Sequence, residues 1–180
     1  MHFIIYDLEA TCWLGRPPGY VQEVIEIGAI KLNGYGEELS IFNRFVKPVV
    51  NPRLSAFCQE LTSITQEQIN IANTFPTVIE DFQDWIDIWD EDYLLCSWGK
   101  FDKTALISDC KLHDMEWEWL ENHINVKNQY KEIKGLSKHR GLRKAVEKEG
   151  FEFTGTHHRG IDDAANLVKV FNKYLDEWYY

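Results

Sequence analysis

The first 46 residues read as three strands in succession, and that order limits the folds open to the chain more than any other feature. His2 to Leu8 is a β-branched and aromatic run suited to a central strand, and it ends in the acids Asp7 and Glu9. A loop rich in turn formers, Trp13 to Tyr20 with Gly15, Pro17, Pro18 and Gly19, separates it from a second strand over Val24 to Leu32. Asn33-Gly34 is a strong turn signal, and the alternating Leu39, Ile41, Phe45 and Val46 behind it close an antiparallel hairpin.

Helices then take over. Thr65-Gln66-Glu67-Gln68 has the pattern of a capping box and predicts a short helix. Pro76 suits a first helical turn, and Val78, Ile79, Phe82, Trp85, Ile86 and Trp89 recur at helical spacing with acids mostly on the outer face. Tyr93 to Trp98 returns to strand character and stops at Gly99, and Asp102 to Leu112 has helical periodicity. A weaker strand is predicted at 124–126, a helix from Leu142 to Lys148 and a last one from about Asp162 to Trp178. With no repeat and no linker, the 180 residues read as one domain of α/β class, a mixed sheet flanked by helices.

Twenty-nine acids against 19 Lys and Arg give a net charge of −10, so the chain cannot hold a polyanion through overall charge. No apolar run approaches the ~20 residues that span a bilayer, and MHFIIYDLEA carries acids where a signal peptide needs basic residues. The expectation is a cytoplasmic protein without membrane contact. Cys12, Cys58, Cys96 and Cys110 form no C-x-x-C pair and read as reduced thiols.

Asp7 and Glu9 stand at i and i+2, which points both side chains to one face of the sheet. Paired carboxylates repel unless a cation neutralises them, and hard oxygen donors suit Mg²⁺ or Mn²⁺. An acidic pair at a strand end is also commonly just solvated. Asp102 follows a strand and a Gly-containing turn, where sites in α/β folds gather, although Asp is also a good helix N-cap. His157-His158-Arg159-Gly160-Ile161-Asp162-Asp163 sets a titratable base just before the last helix and acids in its first turn.

DLEATC, GKFD and HRGIDDA, in this order, resemble the three motifs of the DEDDh 3′→5′ exonucleases. EVIEIGAIKL, FCQELTSIT and Gly141-Leu142 resemble the Eri-type exoribonuclease branch of that family. The resemblance implies a ribonuclease-H-like fold, a mixed five-stranded sheet with one antiparallel strand. It assigns Asp7, Glu9, Asp102, His158 and Asp163 as catalytic residues, with His157 and Asp162 as neighbours. The four acids would hold two Mg²⁺ or Mn²⁺ ions, with Asp7 bridging, and His158 would be the general base that takes a proton from the attacking water. The substrate would be single-stranded RNA or an RNA 3′ overhang, with DNA as a second polymer, and the product nucleoside 5′-monophosphates.

By the same resemblance, main-chain groups of Leu8 and Ala10, with Thr11 alongside, would hold the terminal 3′-OH. Trp13 is placed to stack on a terminal base, or else to pack on its own loop. Residues 131–149 carry seven Lys and Arg against three Glu, a local charge of +4 that leaves −14 for the remainder. That run is either a solvated helix face or, through Arg140 and Arg143, a phosphate-contacting rim. A ribonuclease-H-type endonuclease and a catalytically inactive relative that binds RNA or protein are the competing readings. Motif spacing leaves the oligomeric state open.

Overall fold

The computed structural model describes residues 1–180 apart from Arg16 and Pro18. Strands β1 (His2–Ala10), β2 (Val24–Leu32) and β3 (Glu38–Lys47) come first, followed by α1 (Ala56–Thr62), α2 (Gln66–Asn70), β4 (Asn73–Thr74) and α3 (Phe75–Ile86). The second half alternates: β5 (Tyr93–Ser97), α4 (Phe101–Leu112), β6 (His123–Asn125), α5 (Val126–Ile133), α6 (Leu142–Lys148) and α7 (Gly160–Lys173). The strands form one sheet in the order β4-β3-β2-β1-β5-β6. Only β2 runs against its neighbours; the β3–β4, β1–β5 and β5–β6 pairings are parallel.

All five predicted strands are present. The sheet has six rather than five because Asn73 and Thr74 pair with Val46 and Lys47, a strand too short to leave an alternating pattern. The capping box forms as expected, with Thr65 and Gln68 satisfying each other's main-chain N–H groups. Helix α3 stops three residues before Trp89, because Asp87 turns left-handed (φ 65°) and its N–H caps the carbonyls of Gln83 and Asp84. The last helix starts at Gly160 and ends at Lys173, with a 3₁₀ turn at Leu175–Glu177. Helix α5 was hidden behind the weak 124–126 strand; the Asn125 side chain caps it by accepting from Asn128 N–H.

Alternation along β1 assigns its two faces. Phe3 and Ile5 join the core under α5, α6 and α7, while Ile4, Tyr6 and Leu8 join the core under α3 and α4. Asp7 and Glu9 continue the Phe3–Ile5 face and so point toward α7. No helix of the described residues is long and apolar enough to cross a membrane, and the four cysteines are unpaired.

Candidate active site

Two glycines bring α7 onto the sheet. A Cβ on Gly28 would stand 2.5 Å from Ile161 Cα and closer still to Ile161 N and Gly160 C; one on Gly160 would meet Asp7 O at 2.9 Å and Gly28 N at 3.2 Å. Main chain therefore packs directly on main chain where α7 crosses β1 and β2. The contact is clamped by Glu26, fully buried on β2, whose carboxylate accepts from Gly160 N–H (2.9 Å) and from Arg159 Nε and Nη2 (3.2 and 3.0 Å). Asp163, one turn into α7, is thereby delivered beside β1. Neither Glu26 nor Gly28 was singled out from the sequence, although a charge and a glycine inside a hydrophobic strand signal a buried partner and a close approach.

Asp7, Glu9 and Asp163 each place a carboxylate oxygen within 4.8 Å of the others. Asp102 arrives from α4. Parallel pairing of β1 with β5 ends at Ile5 and Cys96, and Asp102 closes the opened β1 edge by accepting from Leu8 N–H at 3.2 Å. It is not the N-cap of α4, a position that falls on Lys100. These acids line a cleft of about 580 Å³ together with Leu8, His157, His158 and Arg143.

Basic groups offset the cluster only in part: Arg159 lowers the Glu9 carboxyl but is engaged by Glu26, and His157 Nδ1 reaches Asp163. Burial, then the charges of Asp102, Asp163 and Glu9, pushes the Asp7 carboxyl well above its ordinary range. Glu9 is pushed up to about 8 by burial and by Asp163 and Glu26. Asp102 is raised to about 6 by burial, against the hydrogen bonds from Leu8 and Ser97 that favour its ionised form. Convergent hard oxygen donors are the donor set that divalent cations prefer, so the residues present fit such ions.

The histidine pair is more evenly divided than the motif implied. His157 Nδ1 lies 3.0 Å from Asp163 Oδ1, and His158 N–H donates to Asp163 Oδ2 at 3.0 Å, so the dipeptide holds both carboxylate oxygens. His158 achieves this in a left-handed conformation (φ 65°), with its ring stacked on that of His157 at 4.0 Å. Burial and the neighbouring His157 lower the His158 pKa, against the opposing pull of Asp163.

The predicted substrate contacts lie in different surroundings. Thr11 is buried, and its hydroxyl accepts from Glu23 N–H and donates to Val21 O, so it ties the loop to β2. Ala10 is buried outside the cleft, with its carbonyl approached by the Cys58 thiol. Trp13 packs edge-on against Tyr20 (4.7 Å between centroids) and lines a neighbouring cavity of about 600 Å³ that meets the cleft at Phe101. Arg140 is not among the cleft residues, and its carbonyl accepts from the Trp98 indole at 3.1 Å. Leu8 does line the cleft, but Asp102 already takes its N–H. Of the basic run, Arg143 and Lys144 reach the cleft, whereas Lys134 is held by Glu149 and Tyr174.

Residues 4–171 match the family described as Exonuclease (RNase_T). The chain is 32 % identical to 3′-5′ exoribonuclease 1 of Homo sapiens over 98 % of its own length and 53 % of that protein, so it spans about half of this relative. It is similar to the crystal structure of the nuclease domain of 3′hExo, a DEDDh family member bound to rAMP (TM-score 0.89, 31 % identity, 98 % of this chain and 92 % of that one). It is equally similar to a 3′-exonuclease seen recognising the 3′ end of a histone mRNA stem-loop (TM-score 0.89, 30 % identity, 98 % and 82 %).

Proposed function

Because the chain belongs to the exonuclease family, we propose that it is a divalent-metal-dependent 3′→5′ exoribonuclease that releases nucleoside 5′-monophosphates. The observation that carries this is the meeting of Asp7, Glu9 and Asp163 within 4.8 Å, with Asp102 tied to the same strand through Leu8. Asp7, Glu9, Asp102 and Asp163 would hold two Mg²⁺ or Mn²⁺ ions. Bound there, such ions supply Lewis acidity toward the scissile phosphate and acidify water.

The chain's own residues do the rest. His158, lowered in pKa and lining the cleft, is neutral at pH 7 and accepts the proton of the attacking water. Asp102 fixes the β1 edge beside the terminal nucleotide through Leu8 N–H. Arg143 and Lys144 attract the phosphates upstream of the scissile bond; Arg143 is also balanced by Glu147 at 3.1 Å, so its contribution is moderated. The preferred substrate in this reading is RNA, as a single strand or a 3′ overhang, with single-stranded DNA a slower alternative.

The test is a Mg²⁺- or Mn²⁺-dependent time course on 5′-labelled RNA and DNA of matched sequence, single-stranded and with 3′ overhangs. A ladder shortening from the 3′ end, faster on RNA and stopped by a 3′-phosphate, is expected. Internal cleavage of a 3′-blocked strand would establish an endonuclease instead, and turnover unaltered in Asp7→Ala would exclude this site.

A further inference from the structure

An acidic excess at least as large as the net charge of −10 lies in two segments. Residues 80–92 and 114–121 together contain eleven acids and no Lys or Arg, so the remaining 159 residues sum to +1. The two segments form the walls of a groove of about 460 Å³ at the start of β5, lined by Glu80, Trp89, Tyr93, Glu116, Glu118 and Trp119 among others. Tyr93 pairs with His2, five residues before Asp7, so the groove lies about 16 Å along the strands from the catalytic cleft.

The groove is built, not merely acidic. Tyr93 OH donates to Trp119 O at 2.8 Å, and Trp119 Nε1 donates to Glu116 O at 3.2 Å, which fixes an aromatic floor under the carboxylates. Trp89, placed just beyond the left-handed cap at Asp87, is 80 % exposed. Indole faces at this end already take cations: Lys111 Nζ lies 5.0 Å over Trp117 and Lys31 Nζ 5.7 Å over Trp85. Among the described residues, no Lys or Arg sits over Trp89 or Trp119, and none forms an ion pair with Glu80, Glu116 or Glu118.

We propose that this groove docks an Arg- or Lys-bearing segment of a protein partner, with the basic side chains between the indole faces and the three glutamates. Apolar walls bury the aliphatic stems of such side chains, the π-faces attract their cationic heads, and the carboxylates neutralise them. Guanidinium groups fit best, because they stack and hydrogen-bond at once. RNA is repelled from the same surface, so partner and substrate occupy opposite ends of the sheet without competing.

Labelled octa-arginine, followed by fluorescence anisotropy, is the probe. Its affinity should fall about tenfold or more in Glu80→Gln/Glu116→Gln/Glu118→Gln, through loss of the charges it faces. Trp89→Ala should cost about threefold or more. Glu38→Gln/Glu60→Gln/Glu67→Gln, which removes three exposed charges elsewhere, should change it by less than about twofold. RNA turnover should be unchanged in every variant, and the indole N–H resonances of Trp89 and Trp119 should move on addition of the peptide. Equal losses in the two triple variants would overturn the proposal, since attraction would then follow net charge alone. So would a concentration-dependent dimer, seen by sedimentation and abolished by the same substitutions, because the occupant would then be the 131–149 segment of a second copy.

Discussion

Gly28→Ala tests whether the catalytic cluster depends on main chain packed against main chain. The added Cβ would stand 2.5 Å from Ile161 Cα, whereas carbon atoms rest at about 3.5–4.0 Å. The start of α7 must therefore retreat from β2 by about 1 Å, because the obstructing atoms are backbone and no rotamer change relieves them. Overpacking of this kind costs about 1–3 kcal/mol. In a chain of this size each kcal/mol lowers Tm by about 2–4 °C, so a fall of roughly 2–12 °C is expected in calorimetry.

Activity should suffer more than stability. Asp163 lies three residues past Gly160 and rides on the displaced turn, and a 1 Å misplacement in a catalytic constellation costs about 10²-fold in rate. Val170→Ala supplies the control, since it removes fully buried volume nearly three turns further along α7 for about the same 1–3 kcal/mol. Initial rates on 5′-labelled RNA, measured well below both melting points, should be near normal for Val170→Ala and severely reduced for Gly28→Ala. Wild-type turnover in Gly28→Ala, or equal rate losses in both variants, would refute the argument that the glycine contact sets the site.

Glu9, with its folded pKa near 8 against an unfolded value near 4.5, takes up a proton on folding at intermediate pH, so metal-free stability should fall as pH rises from 4.5 to 8. Glu9→Gln should flatten that slope in urea unfolding, and added Mn²⁺ should stabilise the wild type more than the variant; parallel pH profiles would count against it. Arg159→Met leaves the Glu26 carboxylate buried with only Gly160 N–H for company and should cost about 3–5 kcal/mol, while Arg159→Met/Glu26→Gln recovers most of it; a loss below about 1 kcal/mol would sink the clamp. His158→Asn should lower kcat by about 10²–10⁴-fold with the Mn²⁺-induced rise in Tm retained, whereas His157→Asn should do much less; the reverse order would move the general base to His157.

What could be read from the chain was what periodicity and local spacing encode. Asp7 and Glu9 share a face because strands repeat every two residues, and the Thr65–Gln68 capping box is decided within four residues. Contacts between distant segments were not legible in that way. Leu8 and Asp102 are 94 residues apart, and their hydrogen bond exists because β5 stops pairing with β1 at Cys96. Arg159 and Glu26 meet across 133 residues, and only the oddity of a glutamate within VIEIGAIKL hinted that a partner existed. His157 and His158 are adjacent, so spacing separates them poorly, and a single left-handed residue decides which atoms of each face Asp163.

The charge shows the same division. Counting along the chain finds the acids of 80–92 and 114–121, yet nothing local says that the two segments converge on one groove, or that the carboxylates of 7, 9, 102 and 163 converge elsewhere. Once folded, the first group lies mostly at the surface, while in the second burial and neighbouring carboxylates raise Asp7, Glu9 and Asp102. Net charge therefore describes neither site. Acids that converge in a cleft can be neutralised by divalent cations, so an acidic net charge does not by itself bar a chain from acting on a polyanion.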